Sequence, residues 1–165
     1  MLAIRLAKIG CVAAVAFYVA LVAFNNMTDY WTNFVFVTHV LDMDQVFPQS
    51  DIRWRAVTSP ILHHAGYVLI IAVETLVAAL NAIGAMMMAR QLKAKAQPFQ
   101  QAKSFAVAGL TLGFLLYEGG FVAVGGEWFG MWQSQTWDGV PSAFRIVVIM
   151  LGVLIFVSLR DEELA

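Results

Sequence analysis

The chain has 165 residues, 61% of them hydrophobic and 13% charged, with a mean hydropathy of +0.75. That apolar share is too high for an ordinary soluble domain and, with its long apolar runs, indicates a small polytopic membrane protein. A net charge of −1 without any basic stripe excludes a nucleic-acid footprint, and the lone Cys11 excludes an intramolecular disulfide or a thiolate metal cluster.

The expected fold is all-α: four transmembrane helices in an up-down bundle, one integral membrane domain over 1–165, with an extra interfacial helix in the first outer loop. The first span covers about 6–26, behind the basic start of Arg5 and Lys8. Such a start also describes a signal peptide. However, Tyr18-Val19-Ala20 and Leu21-Val22-Ala23 put a bulky residue where cleavage needs a small one, so the helix is read as retained, with Cys11 as a packing residue.

The first outer loop, 27–59, places Tyr30, Phe34, Val37 and Leu41 at helical spacing. Thr28 or Asp29 can cap such a helix, which is too short to span and is expected to lie over the bundle as an interfacial or re-entrant element. The second span, 60–89, starts with Ser59 as a hydroxyl cap and Pro60 where a missing N–H costs nothing. Arg90, Lys93 and Lys95 follow it, and Pro98 marks a turn.

The third span, 104–124, ends among glycines. Gly109 and Gly113 form a GxxxG pattern that permits close helix contact, and Gly119-Gly120, next to Glu118, is a place where the helix could unwind. The second outer loop, 125–140, carries Trp128, Trp132 and Trp137, either an aromatic belt or a wall over a ligand. The fourth span, 141–159, precedes Arg160 and the acidic Asp161-Glu162-Glu163.

Orientation follows from the basic residues. Arg5, Lys8, Arg90, Lys93, Lys95, Lys103 and Arg160 fall on one side, against Arg53, Arg55 and Arg145 on the other. Seven against three puts both termini of a multi-pass protein in the cytoplasm and both long loops outside.

Charges inside apolar spans are the functional lead. Counted from the cytoplasmic helix ends at ~1.5 Å per residue, Glu74 lies ~22 Å deep and Glu118 and Arg145 ~21 Å. Asn25 and Asn26 fall near the same level, completing a polar layer to which all four helices contribute. This layer reads either as structural glue with Arg145 paired to the glutamates, as a proton-handling or ligand site, or with Arg145 snorkelling outward alone. Above it, His39, Asp42, His63, His64, Glu127, Trp128 and Trp132 form a candidate outer-face ligand site. His39, His63, His64 and Glu127 are the candidate metal ligands, although no HxxxH, ExxH or cysteine pair supports a metal, and a haem would need His39 to face His63 or His64.

The blocks Asn25-Asn26-Met27-Thr28-Asp29-Tyr30, His39-Val40-Leu41-Asp42-Met43-Asp44 and Gly125-Gly126-Glu127-Trp128-Phe129-Gly130-Met131-Trp132-Gln133-Ser134 resemble an uncharacterised bacterial family of predicted small integral membrane proteins with a domain of unknown function. The resemblance covers nearly the whole chain, with Gln45 departing where threonine is expected. It implies a four-helix inner-membrane protein and no established activity or cofactor.

Three functional readings follow. The first is a non-enzymatic accessory or ligand-binding subunit with an outward polar site, working with a partner membrane protein or as a homo-oligomer in the lipid bilayer. The second is an outer-face haem, metal or quinone-linked redox site. The third is a small proton-coupled carrier using Glu74, Glu118 and Arg145. No nucleophile triad or phosphate loop favours an enzyme.

Overall fold

The computed structural model describes residues 2–163. Met1, Leu164 and Ala165, part of the 1–165 domain expected above, lie outside them. Helix α1 (Leu2–Thr28) is followed by α2 (Tyr30–Asp42), α3 (Pro60–Arg90), the short α4 (Ala96–Gln101), α5 (Ser104–Phe114) and α6 (Val140–Ser158). Single 3₁₀ turns occupy Arg53–Arg55 and Met131–Gln133. Four helices are long and apolar enough to cross a membrane: α1, α3, the stretch Ala96–Trp128 and α6. They pack in the order α1–α3–α5–α6, with a lighter α1–α6 contact closing the ring.

The elements differ in detail from the sequence expectation. Helix α1 runs to Thr28, so only Asp29 separates it from α2. Neither expected hydroxyl or carboxylate cap forms: Asp29 and Ser59 make no side-chain cap bond, and the Thr28 hydroxyl donates back to the Phe24 carbonyl at 2.8 Å. Pro60 does occupy the first turn of α3. At α6 the N-cap position is Gly139, and the preceding Asp138 accepts the Val140 N–H through Oδ1 at 2.9 Å. Pro98 sits inside the first turn of α4 instead of in an open turn.

The third span does not end at its glycines. From Leu115 to Trp128 it continues as a π-helix, carrying Gly119, Gly120, Gly125 and Gly126 within it. The helix therefore widens beside Glu118 instead of unwinding, a geometry more often confined to single-turn bulges at functional sites. Its last turn closes with the Phe129 N–H donating to the Val124 carbonyl at 3.0 Å, five residues back.

Below this wide segment α3 and α5 are pressed together. A Cβ added to Gly84 would collide with the Ala106 backbone, and one added to Gly109 would lie 2.6 Å from the Asn81 side-chain nitrogen. Gly113, the second glycine of the GxxxG pattern, faces Met150 of α6 and Val77 of α3. Val12, Val77, Leu110 and Met150 fill the main core here. A second, smaller core of Met43, Val46 and Phe129 lies under the loops; Met43 ends α2 in a left-handed conformation (φ 53°) and is anchored by full burial.

Both ends of the described residues lie at the α3–α5 loop end of the bundle. Arg5, Lys8 and Lys103, read above as markers of orientation, are all buried there. They hold the segment 159–163 across that end.

Candidate ligand-binding site

Glu74 is the centre of the opposite half. It is 1% exposed on the inner face of α3, which also carries Tyr67 seven residues before it and Asn81 seven after. Two helical turns separate each pair, so all three point towards the same neighbours. The Asn26 amide of α1 donates to Glu74 Oε2 at 2.7 Å, and the Tyr117 hydroxyl of the π-helix donates to Oε1 at 3.3 Å. Tyr67 donates to the Asn26 main-chain carbonyl at 3.2 Å, satisfying a group left free near the end of α1. Both carboxylate oxygens are thus held by neutral donors, and no ion pair to Glu74 occurs among the described residues.

A cavity of about 350 Å³ opens against this carboxylate. Its polar lining comprises Tyr18, Asn26, Asn33, Tyr67, Glu74, Tyr117 and Ser142, contributed by five helical segments, and Asp138 from the loop before α6. An apolar cleft of about 210 Å³, floored by Leu41, Leu116, Val124 and Phe129, adjoins it. Phe36, Val37, Ile70 and Phe121 line both spaces. The polar chamber and the apolar cleft therefore share walls, and helix α2 contributes to each.

Only part of the expected polar layer assembles. Glu74 and Asn26 meet, but Asn25 is exposed. Arg145 is exposed and turns to its own helix, donating to the Pro141 carbonyl at 3.2 Å and the Ser142 hydroxyl at 3.0 Å. It forms no ion pair with Glu74 or Glu118, which corrects the glue reading. Equal depth did not imply a shared face: Glu118 follows Tyr117 on a wide helix, and it is Tyr117 that turns inward while Glu118 stays half-buried.

The outer-face residues disperse as well. His39 donates to Asp44 at 2.7 Å and stacks on Trp137 with ring centres 4.6 Å apart. His63, buried, donates to the Val57 carbonyl and lies 3.4 Å from Asp42 Oδ1. His64 shares a 2.7 Å hydrogen bond with the Tyr30 hydroxyl, beneath Phe34 stacked at 4.1 Å. Glu127 is exposed. Trp128 packs over Arg55 at 4.6 Å beside Trp54, and Trp132 meets Phe47 edge-on. Among the described residues no three His, Cys, Asp or Glu side chains converge as metal ligands.

Tyr67, Asn33, Tyr117 and Asp138 belong to the cavity and were absent from the sequence-based site. Tyr67 had a usable signal, its seven-residue spacing from Glu74 on one helix. Tyr117 had none, because choosing it over Glu118 requires knowing that the helix widens.

The family model described as predicted small integral membrane protein (DUF2165) matches residues 4–160. No curated protein and no solved structure matches the chain.

Proposed function

Since the chain belongs to this family of predicted small integral membrane proteins, we propose that it is a ligand-binding membrane subunit whose site is the Glu74 cavity. The ligand is an amphipathic molecule, with a head that donates hydrogen bonds or carries positive charge and an apolar tail. The observation that carries this reading is the shared wall between the chamber at Glu74 and the apolar cleft under α2. A binding site of this kind combines mostly apolar walls with a few convergent polar groups. Glu74 meets neutral donors alone, so an incoming cationic or donor head finds an acceptor not already neutralised by a basic side chain.

In the proposed topology both termini are cytoplasmic and the cavity lies in the outward half, in keeping with the seven-to-three distribution of basic residues. Neither the redox nor the carrier reading has comparable support. The histidines are engaged separately, and Arg145 is not part of the Glu74 site.

Long-chain alkylamines, with alkyl carboxylates of equal length as controls, test the reading by thermal shift on the detergent-purified protein below their micellar concentrations. The amine should raise Tm of the wild type and lose most of that effect on Glu74→Gln. Equal shifts from amine and carboxylate, or an undiminished shift on Glu74→Gln, would overturn it.

A further inference from the structure

At the end of the bundle remote from Glu74, three cations converge with almost no exposure: Arg5 at 1%, Lys8 at 1% and Lys103 at 2%. They come from the first turns of α1 and from the start of α5. Arg5 donates to the carbonyls of Leu92 (3.1 Å), Ala94 (2.6 Å) and Glu162 (3.1 Å). Lys8 donates to the Leu159 carbonyl at 2.7 Å and to Asp161 Oδ2 at 3.0 Å. Lys103 donates to Gln100 Oε1 at 2.8 Å and the Leu159 carbonyl at 2.9 Å, and pairs with the same Asp161 oxygen. Phe99, fully buried, is flanked by Arg5 at 4.6 Å and Lys103 at 5.6 Å.

The charges do not balance within the cluster. Three cations meet one buried carboxylate, Asp161. The Glu163 carboxylate is spent on the Ala96 N–H at 3.0 Å, and Glu162 contributes only its carbonyl. Arg5 Nε is buried without any partner. Buried charges normally require pairing, so an excess of two positive charges is unusual. Moreover, every acceptor of Lys8 comes from segment 159–163, which enters the cluster as a ligand would. Two oxygens, Asp161 Oδ2 and the Leu159 carbonyl, are each held by both lysine ammonium groups. A phosphate ester presents several anionic oxygens from one atom and can replace both at once while removing more of the excess charge. Basic pockets between transmembrane helices at the headgroup level are suited to such groups.

We propose that Arg5, Lys8 and Lys103 form a phosphate-ester site, occupied in this conformation by the chain's own residues 159–163, which act as a displaceable latch. The cluster lies where α1 and α5 begin and α6 ends, so the phosphate of an anionic phospholipid is within its reach.

The test places a spin label at Glu162→Cys, whose side chain makes no contact in the cluster, in a Cys11→Ala background, with the full chain in phosphatidylcholine vesicles. Phosphatidylglycerol is then added, and inorganic phosphate separately. The label should be immobilised in pure phosphatidylcholine. Phosphatidylglycerol should raise the ratio of mobile to immobile label about fivefold, the factor equivalent to ~1 kcal/mol, the attraction of one basic residue to an anionic surface. That response should vanish in Lys8→Gln; Lys103→Gln serves the same purpose if Lys8→Gln fails to fold. Release by inorganic phosphate in pure phosphatidylcholine would support the site with free phosphate as its source. No release by either, or equal release by phosphatidylglycerol in the lysine variants, would overturn the proposal. The second of those results would mean that surface repulsion alone moves the acidic segment.

Discussion

Asn26 of α1 and Glu74 of α3, 48 residues apart in sequence, meet at 2.7 Å and supply the shortest of the polar contacts in the cavity. Asn26→Ala should leave the buried carboxylate with Tyr117 alone and destabilise the protein by about 1–2 kcal/mol, within the range for losing a buried partner. Combining Asn26→Ala with Glu74→Gln should cost less than the sum of the two. Thermal unfolding of the four-member cycle measures the coupling, and strictly additive losses would refute the contact.

Arg145 should behave as a bystander. It bonds only within its own helix and is exposed, so Arg145→Gln should change stability by no more than ~0.5 kcal/mol, as surface substitutions usually do. Its effect should add to that of Glu74→Gln. Non-additivity well above this level would restore an ionic link between them.

The α3–α5 seam predicts a ranking of glycine substitutions. Gly84→Ala drives a methyl group into the Ala106 backbone and should cost about 1–3 kcal/mol, the usual penalty of overpacking. At Gly10 and Gly119 an added Cβ meets open space, so alanine there should be neutral or mildly stabilising. Tm measured across the three variants checks the order; a tolerant Gly84→Ala would mean the helices are further apart.

The terminal segment should depend on acid in one direction only. Burial pushes the Asp161 carboxyl up, but hydrogen bonds from Lys103 and Lys8 outweigh it and hold the group below its ordinary value of 3.8. Its stabilising contribution is therefore complete above that ordinary value and is lost as pH falls through the lower folded-state value. The Tm difference between wild type and Asp161→Asn should stay constant from pH 7 to about 5 and close in stronger acid. A difference that widened on acidification would contradict the assigned pairing.

Four long helices were legible in the sequence because apolar length and flanking charge carry them without tertiary information. The α2 helix was legible from the spacing of Tyr30, Phe34, Val37 and Leu41. Glu74 stood out because a carboxylate in an apolar span is costly wherever it points. The azimuth of each side chain was not legible in the third and fourth spans. Depth is a count along the axis, whereas Arg145 and Glu118 were decided by rotation about it, and the π-helix changes that rotation from Leu115 onward. The burial of Arg5, Lys8 and Lys103 was hidden for a different reason: the oxygens that accept their protons are largely main-chain carbonyls, which leave no trace in a sequence.

The cavity also draws its walls from helices that reach the opposite end of the bundle. Glu74 and Tyr117 stand on α3 and on the continuation of α5, two helices brought into close contact at Gly84 and Gly109. Asn26 belongs to α1, an unbroken rod whose opposite end carries Lys8, 18 residues or ~27 Å away. A head group that displaced Asn26 from Glu74 would tilt that rod and strain the grip of Lys8 on Leu159 and Asp161. Occupancy at one membrane face would then set how firmly the segment 159–163 is clasped at the other, and by reciprocity a loosened clasp would alter affinity in the cavity.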